Sequence, residues 1–236
     1  FALILLCAGC RPAGEALPAP QTDVWLVDLL GQGDALGLGT PVNLTTTTTS
    51  PDGAYSFSVP PGTYTVYETL QGGWTQSFPQ PGSGIVTAPN GTLGYQLTLA
   101  SGQADTGNDF GNYRYATKSG TKFHDLNGDG VRDADGVDNV AGTADDEAGL
   151  AGWTINIVGT AGDGSTLNTS TTTDGSGNYS FSVKPGSYTV YETLQPNWVQ
   201  MAPQAGPGIV TALNGTLGYS VTLTSGQVDN NNDFGN

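Results

Sequence analysis

Two stretches of this chain are one sequence written twice. Residues 54–112 and 178–236 align without a gap, each residue 124 positions from its counterpart. Tyr55 answers Tyr179, and Tyr64-Thr-Val-Tyr-Glu68 answers Tyr188-Thr-Val-Tyr-Glu192. Both copies close on Asp-Phe-Gly-Asn, at Asn112 and Asn236. A gapless internal repeat of this length means one folding unit used twice. The upstream parts match loosely, with Trp25-Leu-Val-Asp-Leu-Leu-Gly against Trp153-Thr-Ile-Asn-Ile-Val-Gly. A boundary near Asn112 gives an apolar N-terminal segment and linker (1–23), a first unit (24–112) and a second unit (113–236). Each unit, at about 100 residues, is long enough to enclose its own core.

The repeat also fixes the fold class. Tyr55, Phe57 and Val59 alternate with polar residues, as do Tyr179, Phe181 and Val183, which is the period of a half-buried strand. Strands are expected at 24–30, 42–49, 55–59, 64–68, 74–78, 84–88 and 93–99. The second copy repeats them at 153–158, 167–173, 179–183, 187–193, 198–201, 208–212 and 217–224, after an opening strand at 120–125. Asp-Gly, Asn-Gly and Pro-Gly pairs punctuate these segments. With 36 Gly and 14 Pro and no amphipathic helical stretch, the expected fold is all-β, two tandem antiparallel β-sandwiches. The junction 112–120 holds no Pro and a single Gly, so a stiff connection is expected rather than a flexible linker.

The net charge is −15, with only six Lys and Arg. That balance excludes a nucleic-acid partner and disfavours an anionic membrane surface. The acids are unevenly spread. Eight of the 21 lie in residues 125–147, where Arg132 is the sole Lys or Arg. Asp125, Asn127, Asp129 and Asp133 fall at offsets 1, 3, 5 and 9, with Gly130 at 6 and the Val131 carbonyl at 7. These are the offsets at which a tight loop turns oxygens onto a calcium ion. Position 12 is Gly136, so a further carboxylate must come from Asp135, Asp138, Asp145, Asp146 or Glu147. Calcium is the expected cofactor, bound by the second unit alone and weakly, with Kd about 10⁻⁴–10⁻³ M.

Cys7 and Cys10 lie outside the repeats, so neither unit depends on a disulfide. They follow Phe1, Ala2, Leu3, Ile4, Leu5 and Leu6, an uninterrupted apolar run too short to span a membrane. Run and cysteines together resemble the end of a bacterial lipoprotein signal, with Cys10 in the lipidated place. The other reading is a donor strand. Added to the open edge of a neighbouring copy, residues 1–6 would bury their side chains and build a head-to-tail polymer. Folding back onto the first unit is the alternative.

The second unit resembles a known family. Gly-Thr-Lys-Phe-His-Asp-Leu-Asn-Gly-Asp-Gly-Val-Arg-Asp at 120–133, Gly-Leu-Ala-Gly-Trp-Thr-Ile at 149–155 and Pro-Gly-Ser-Tyr-Thr-Val-Tyr-Glu at 185–192 are similar to the B-type domains of serine-aspartate repeat adhesins. Those belong with the prealbumin-like (Ig-like) sandwiches of the collagen-adhesin B type. The resemblance covers nearly all of 119–236, but only about 25–112 of the first copy, which lacks the Asp-rich loop. It implies two prealbumin-like sandwiches forming a secreted or cell-surface stalk module, with calcium on Asp125, Asn127, Asp129 and Asp133. Some relatives form an internal Lys–Asn amide promoted by a Glu, and Glu68 and Glu192 stand where that Glu would sit. The first copy contains no Lys. In the second, Lys122 stands off the usual site, which Phe123 occupies, so the bond is not expected.

No catalytic set is expected. His124 is the single histidine, so no Ser-His-Asp arrangement can recur in both units, and no phosphate loop or zinc motif is present. The expected function is a structural module of an extracellular filament or stalk, stiffened by calcium and partnered with copies of itself. The alternative is an adhesin or glycan-binding module, meeting surface glycans or proteins of a host or neighbouring cell. Exposure of Trp74 and Trp198 would favour the alternative.

Overall fold

The computed structural model describes residues 2–4, 23–28, 42–50, 52–136 and 138–236, with side chains described from residue 49 onward. The described residues contain strands, turns and bends and no helix. The chain divides into unit 1, Phe1–Tyr113, and unit 2, Arg114–Asn236.

Unit 1 contains β1 (Ala2–Ile4), β2 (Asp23–Asp28), β3 (Val42–Thr48), β4 (Phe57–Val59), β5 (Gly62–Thr69), β6 (Thr75–Phe78), β7 (Ile85–Thr87), β8 (Leu93–Leu99) and β9 (Gly111–Tyr113). One antiparallel sheet runs β3-β2-β5-β8-β7, and two strand pairs stand beside it, β1 with β4 and β6 with β9. The period-two faces read from the sequence meet as a core of Tyr55, Phe57, Val59, Tyr64, Val66 and Leu99. Burying each such side chain fully is worth about 1.5–3 kcal/mol.

Unit 2 contains β10 (Ala116–Phe123), β11 (Thr154–Ala161), β12 (Thr166–Thr172), β13 (Asn178–Val183), β14 (Gly186–Glu192), β15 (Ile209–Thr211), β16 (Leu217–Leu223), β17 (Val228–Asp229) and β18 (Phe234–Gly235). The sheet β12-β11-β14-β16-β15 repeats the sheet of unit 1. The second sheet centres on β10. It pairs antiparallel with β13 over six residues, from Ala116 opposite Val183 to Thr121 opposite Asn178. Its other edge receives β17 and β18 in parallel. Both sheets contribute to one core, Ile155, Ile157, Val190 and Leu223 from one and Ala116, Tyr179, Phe181 and Phe234 from the other. That shared core makes the unit a sandwich.

Two sequence expectations need correction. The loose match of Trp25 with Trp153 is not the structural one. Val24 pairs with Glu68 and Ile155 with Glu192, so Trp25 takes the register place of Asn156. The strand expected at 198–201 does not form. Instead Met201 N and Ala202 N both donate to the Gly235 carbonyl, at 2.8 and 3.1 Å, so this segment clasps the C-terminal residues rather than joining a sheet. Ala2–Ile4 lies along β4 of its own chain, Ala2 opposite Val59 and Ile4 opposite Phe57. That is the fold-back alternative, seen within a single chain. Phe1, Leu5, Leu6, Cys7 and Cys10 lie outside the described residues.

Candidate functional site

A lysine, a glutamate and an asparagine meet in the interior of unit 2. Along β10, Ala116, Lys118, Gly120 and Lys122 share one face by strand alternation, and Ala116 belongs to the core. Lys122 therefore points inward and has no solvent exposure. Its Nζ lies 3.1 Å from Glu192 Oε2, and Glu192 is also fully buried. Asn236 Nδ2 donates to the same Glu192 oxygen at 3.3 Å. The Lys122 ammonium also lies 4.4 Å from the centroid of the Trp153 ring and 3.3 Å from the Phe234 carbonyl.

Each member is held by backbone. Glu192 ends β14 opposite Ile155, and its carbonyl accepts from Asn214 Nδ2 at 2.8 Å. Asn236 is fixed beside β10, because Asp125 N donates to its carbonyl at 2.9 Å and its own N–H donates to the Phe123 carbonyl at 3.3 Å. Phe123, expected in the lysine place, turns to the opposite side, where a Cβ on Gly235 would come within 2.5 Å of its ring. Lys122, not Phe123, reaches the glutamate, so the expectation that this lysine misses the site is overturned. The missed signals were the parity of Lys122 with Ala116 and the asparagine that closes each repeat.

Burial works against both charges of the pair. Burial pulls the Lys122 ammonium down from 10.5 to about 8, against the pull of Glu192. Burial likewise raises Glu192, against the opposing effects of Lys122 and Asn236. Desolvation penalises both charges, and moving one proton from the amine to the carboxylate removes both. Glu192 Oε1 and Asn236 Oδ1 have no hydrogen-bond partner among the described residues. A neutral amine, a protonated carboxyl and a side-chain amide at one carboxylate oxygen are the components of an amide exchange.

Unit 1 repeats two of the three. Glu68 is fully buried, and Asn112 Nδ2 donates to its Oε2 at 2.7 Å. The surrounding frame is copied, with Asn90 Nδ2 donating to the Glu68 carbonyl at 2.8 Å.

The acidic loop is shaped by its own carboxylates. Asp125 Oδ1 and Oδ2 accept from Gly128 N at 2.7 Å and Gly130 N at 2.8 Å. Asn127 Oδ1 accepts from Asp129 N, and Asp129 Oδ1 from Val131 N, both at 2.8 Å. Glu147, almost fully buried, staples the loop by accepting from Leu126 N at 3.1 Å and Asp133 N at 2.8 Å. Thr143 Oγ1 lies 2.8 Å from Asp145 Oδ1 and 3.0 Å from Asp146 Oδ1, its single proton serving one of them at a time. Among the described residues no three acidic, His or Cys side chains are gathered as a metal set. Asp125 and Glu147 keep acceptor capacity, since each of their oxygens takes one backbone N–H and has a second lone pair. His124 is half-buried edge-on to Trp198, and Trp198 is edge-on to Trp153. Trp74 is also half-buried.

Residues 141–217 match the SpaA family model, a prealbumin-like fold domain. The match lies within unit 2 and takes in Trp153 and Glu192, stopping short of Lys122 and Asn236. Among solved structures, the chain is similar to the Bacillus anthracis TIE protein at 15% identity and TM-score 0.31, over 89% of this chain and 29% of that one. It is similar to a streptococcal ancillary pilin at 15% identity and TM-score 0.32, over 98% of this chain and 62% of that one. The shaft pilin SpaA of Lactobacillus rhamnosus GG is similar at 12% identity and TM-score 0.31, over 99% and 96%. No curated protein sequence matches the chain. Among the described residues no helix is long and apolar enough to cross a membrane.

Proposed function

We propose that this chain is a non-catalytic structural module of an extracellular or cell-surface filament or stalk, and that unit 2 locks itself by joining Lys122 to Asn236. The observation that carries this reading is the shared, fully buried Glu192 oxygen that meets both Lys122 Nζ and Asn236 Nδ2. The neutral Nζ attacks Cγ of Asn236 while protonated Glu192 donates to the amide oxygen and makes that carbon electrophilic. The Nζ–Cγ bond forms and the Cγ–Nδ2 bond breaks. Glu192 carries the Nζ proton to Nδ2, which leaves as ammonia. Glu192 ends as it began, and the chain acts once, on itself.

The amide ties β10 to the residue that follows β18, so tension along the chain must break a covalent bond before those strands part. On the chain-entropy account of cross-links, closing a loop of about 100 residues is worth about 4.7 kcal/mol. A half-buried Trp198 packed against Trp153 supports the structural reading over a glycan platform. Calcium on the loop around Asp125 and Glu147 and assembly with further copies belong to the same proposal. The test is proteolysis followed by mass spectrometry. A fragment joining Lys122 to Asn236 is expected, absent from Glu192→Gln. Separate, unmodified Lys122 and Asn236 fragments from the wild type would refute the lock.

A further inference from the structure

Unit 1 holds a carboxyl and an amide arranged as in unit 2 and has no amine for them. Glu68 has no solvent exposure, its Oε1 has no hydrogen-bond partner among the described residues, and Asn112 Oδ1 is likewise unpartnered. Burial raises the Glu68 carboxyl, with Asn112 and Gln76 acting the other way. In unit 2 the same buried pair has Lys122 beside it. Residues 1–113 contain no lysine, so unit 1 cannot supply the amine itself. Yet the spacing from Glu68 to Asn112 equals that from Glu192 to Asn236, and the Asn90 and Gln76 contacts match those of Asn214 and Gln200. The strand place that carries Lys122 in unit 2 lies along β13. In unit 1, among the described residues, the corresponding β4 pairs with β1, from Ala2 opposite Val59 to Ile4 opposite Phe57.

We propose that unit 1 is an acceptor for a lysine on an extended strand supplied from outside residues 1–113, which it joins covalently to Asn112. This rests on the amide chemistry read from unit 2. The incoming strand takes the place of β1 along β4 and brings its lysine to Glu68. Nζ of that lysine bonds to Cγ of Asn112, the Cγ–Nδ2 bond breaks, Glu68 passes the proton from Nζ to Nδ2, and ammonia leaves. No oxidant or further reactant is needed. The strand requires alternating residues with a lysine on the inward face, the pattern of β10. Lys122 serves its own unit, Lys118 is paired at 2.7 Å with Asp229, and Lys184 is paired at 2.6 Å with Asp163. The donor is therefore a separate strand of that pattern rather than a folded second copy.

The probe is a synthetic peptide with the sequence of residues 114–125, incubated with the full chain. The expected product has the mass of chain plus peptide less one ammonia, with the new bond at Asn112. Asn112→Ala abolishes it, and Glu68→Gln slows it about a hundredfold or more. A peptide carrying Lys122→Ala does not react. Absence of an Asn112-linked product, attachment elsewhere, or binding without a covalent bond overturns the proposal. Covalent oligomers linked through Asn112 in the chain alone would overturn the choice of a separate donor. The wild-type chain is mapped in the same experiment. A Lys122–Asn236 bond without an Asn112 adduct sinks this inference alone, whereas loss of the Lys122–Asn236 bond sinks the reading of unit 2.

Discussion

A buried lysine beside a buried glutamate is a poor way to gain stability. Removing both charges from water costs several kcal/mol per ion, and the mutual attraction offsets this only in part. On the proposed reading the pair makes sense as an amine and its proton carrier, since an amide between Lys122 and Asn236 would remove the lysine charge permanently. Asn236→Ala blocks the bond and exposes the underlying titration. Lys122 then has a folded-state pKa of about 8 against an ordinary 10.5, so the unfolded chain binds more protons between those values. Stability of this variant is expected to rise as pH increases through the lower part of that window, from about pH 8 to about pH 9. Lys118, also lowered by burial, adds the same sign. Glu192, raised by burial, acts oppositely at lower pH, its contribution falling as pH climbs past the usual carboxylate range. Urea unfolding at about pH 8 and about pH 9 checks this, below the range in which unfolded tyrosines ionise and the buried Tyr55, Tyr95, Tyr179 and Tyr219, all raised by burial, act with the opposite sign; a flat or falling stability over that range would contradict it. At this scale the sequence marked Glu68 and Glu192 but not their partners. Lys122 and Phe123 are adjacent and both buried, so composition could not say which faces the core; only the register of β10 on β13 decides.

At the scale of elements, β10 is the member on which the others converge. It pairs with β13, β17 and β18, and its end is fixed by Gly177, whose carbonyl accepts from Lys122 N at 2.7 Å. Gly177 has φ +80°, and a Cβ there would stand 2.2 Å from the Lys122 carbonyl oxygen. Gly177→Ala is therefore expected to destabilise unit 2 by more than about 1 kcal/mol and to reduce the fraction of cross-linked chain. Melting and intact mass check both, and an unchanged cross-linked fraction would show that the turn does not set the lysine. Most strands were legible because one face is buried and the alternation survives, as in Tyr179, Phe181 and Val183. β17 and β18 were not legible. They are two residues each and join β10 in parallel, from a stretch of Asn and Asp that carries no alternation. The strand wrongly expected at 198–201 has the composition of one, but Trp198 packs edge-on to Trp153 instead.

For the whole molecule, the repeat announced two units and the structure supplies what distinguishes them: an acidic loop and a complete amine-carboxyl-amide set in one, an incomplete set in the other. Calcium is expected to stabilise the chain through that loop. At ten times Kd the linkage is worth about 1.4 kcal/mol, and about 4 °C or more in the melting of a domain of this size. Asp129→Asn with Asp133→Asn should remove the shift, and a wild-type melt indifferent to millimolar calcium would leave the loop as a self-bonded turn. The covalent lock is the claim on which the rest depends, and the intact mass of the folded chain tests it most directly. The mass is expected to fall short of the sequence mass by one ammonia, with the full mass restored by Lys122→Arg or Glu192→Gln. A wild-type chain at its full sequence mass would contradict the account.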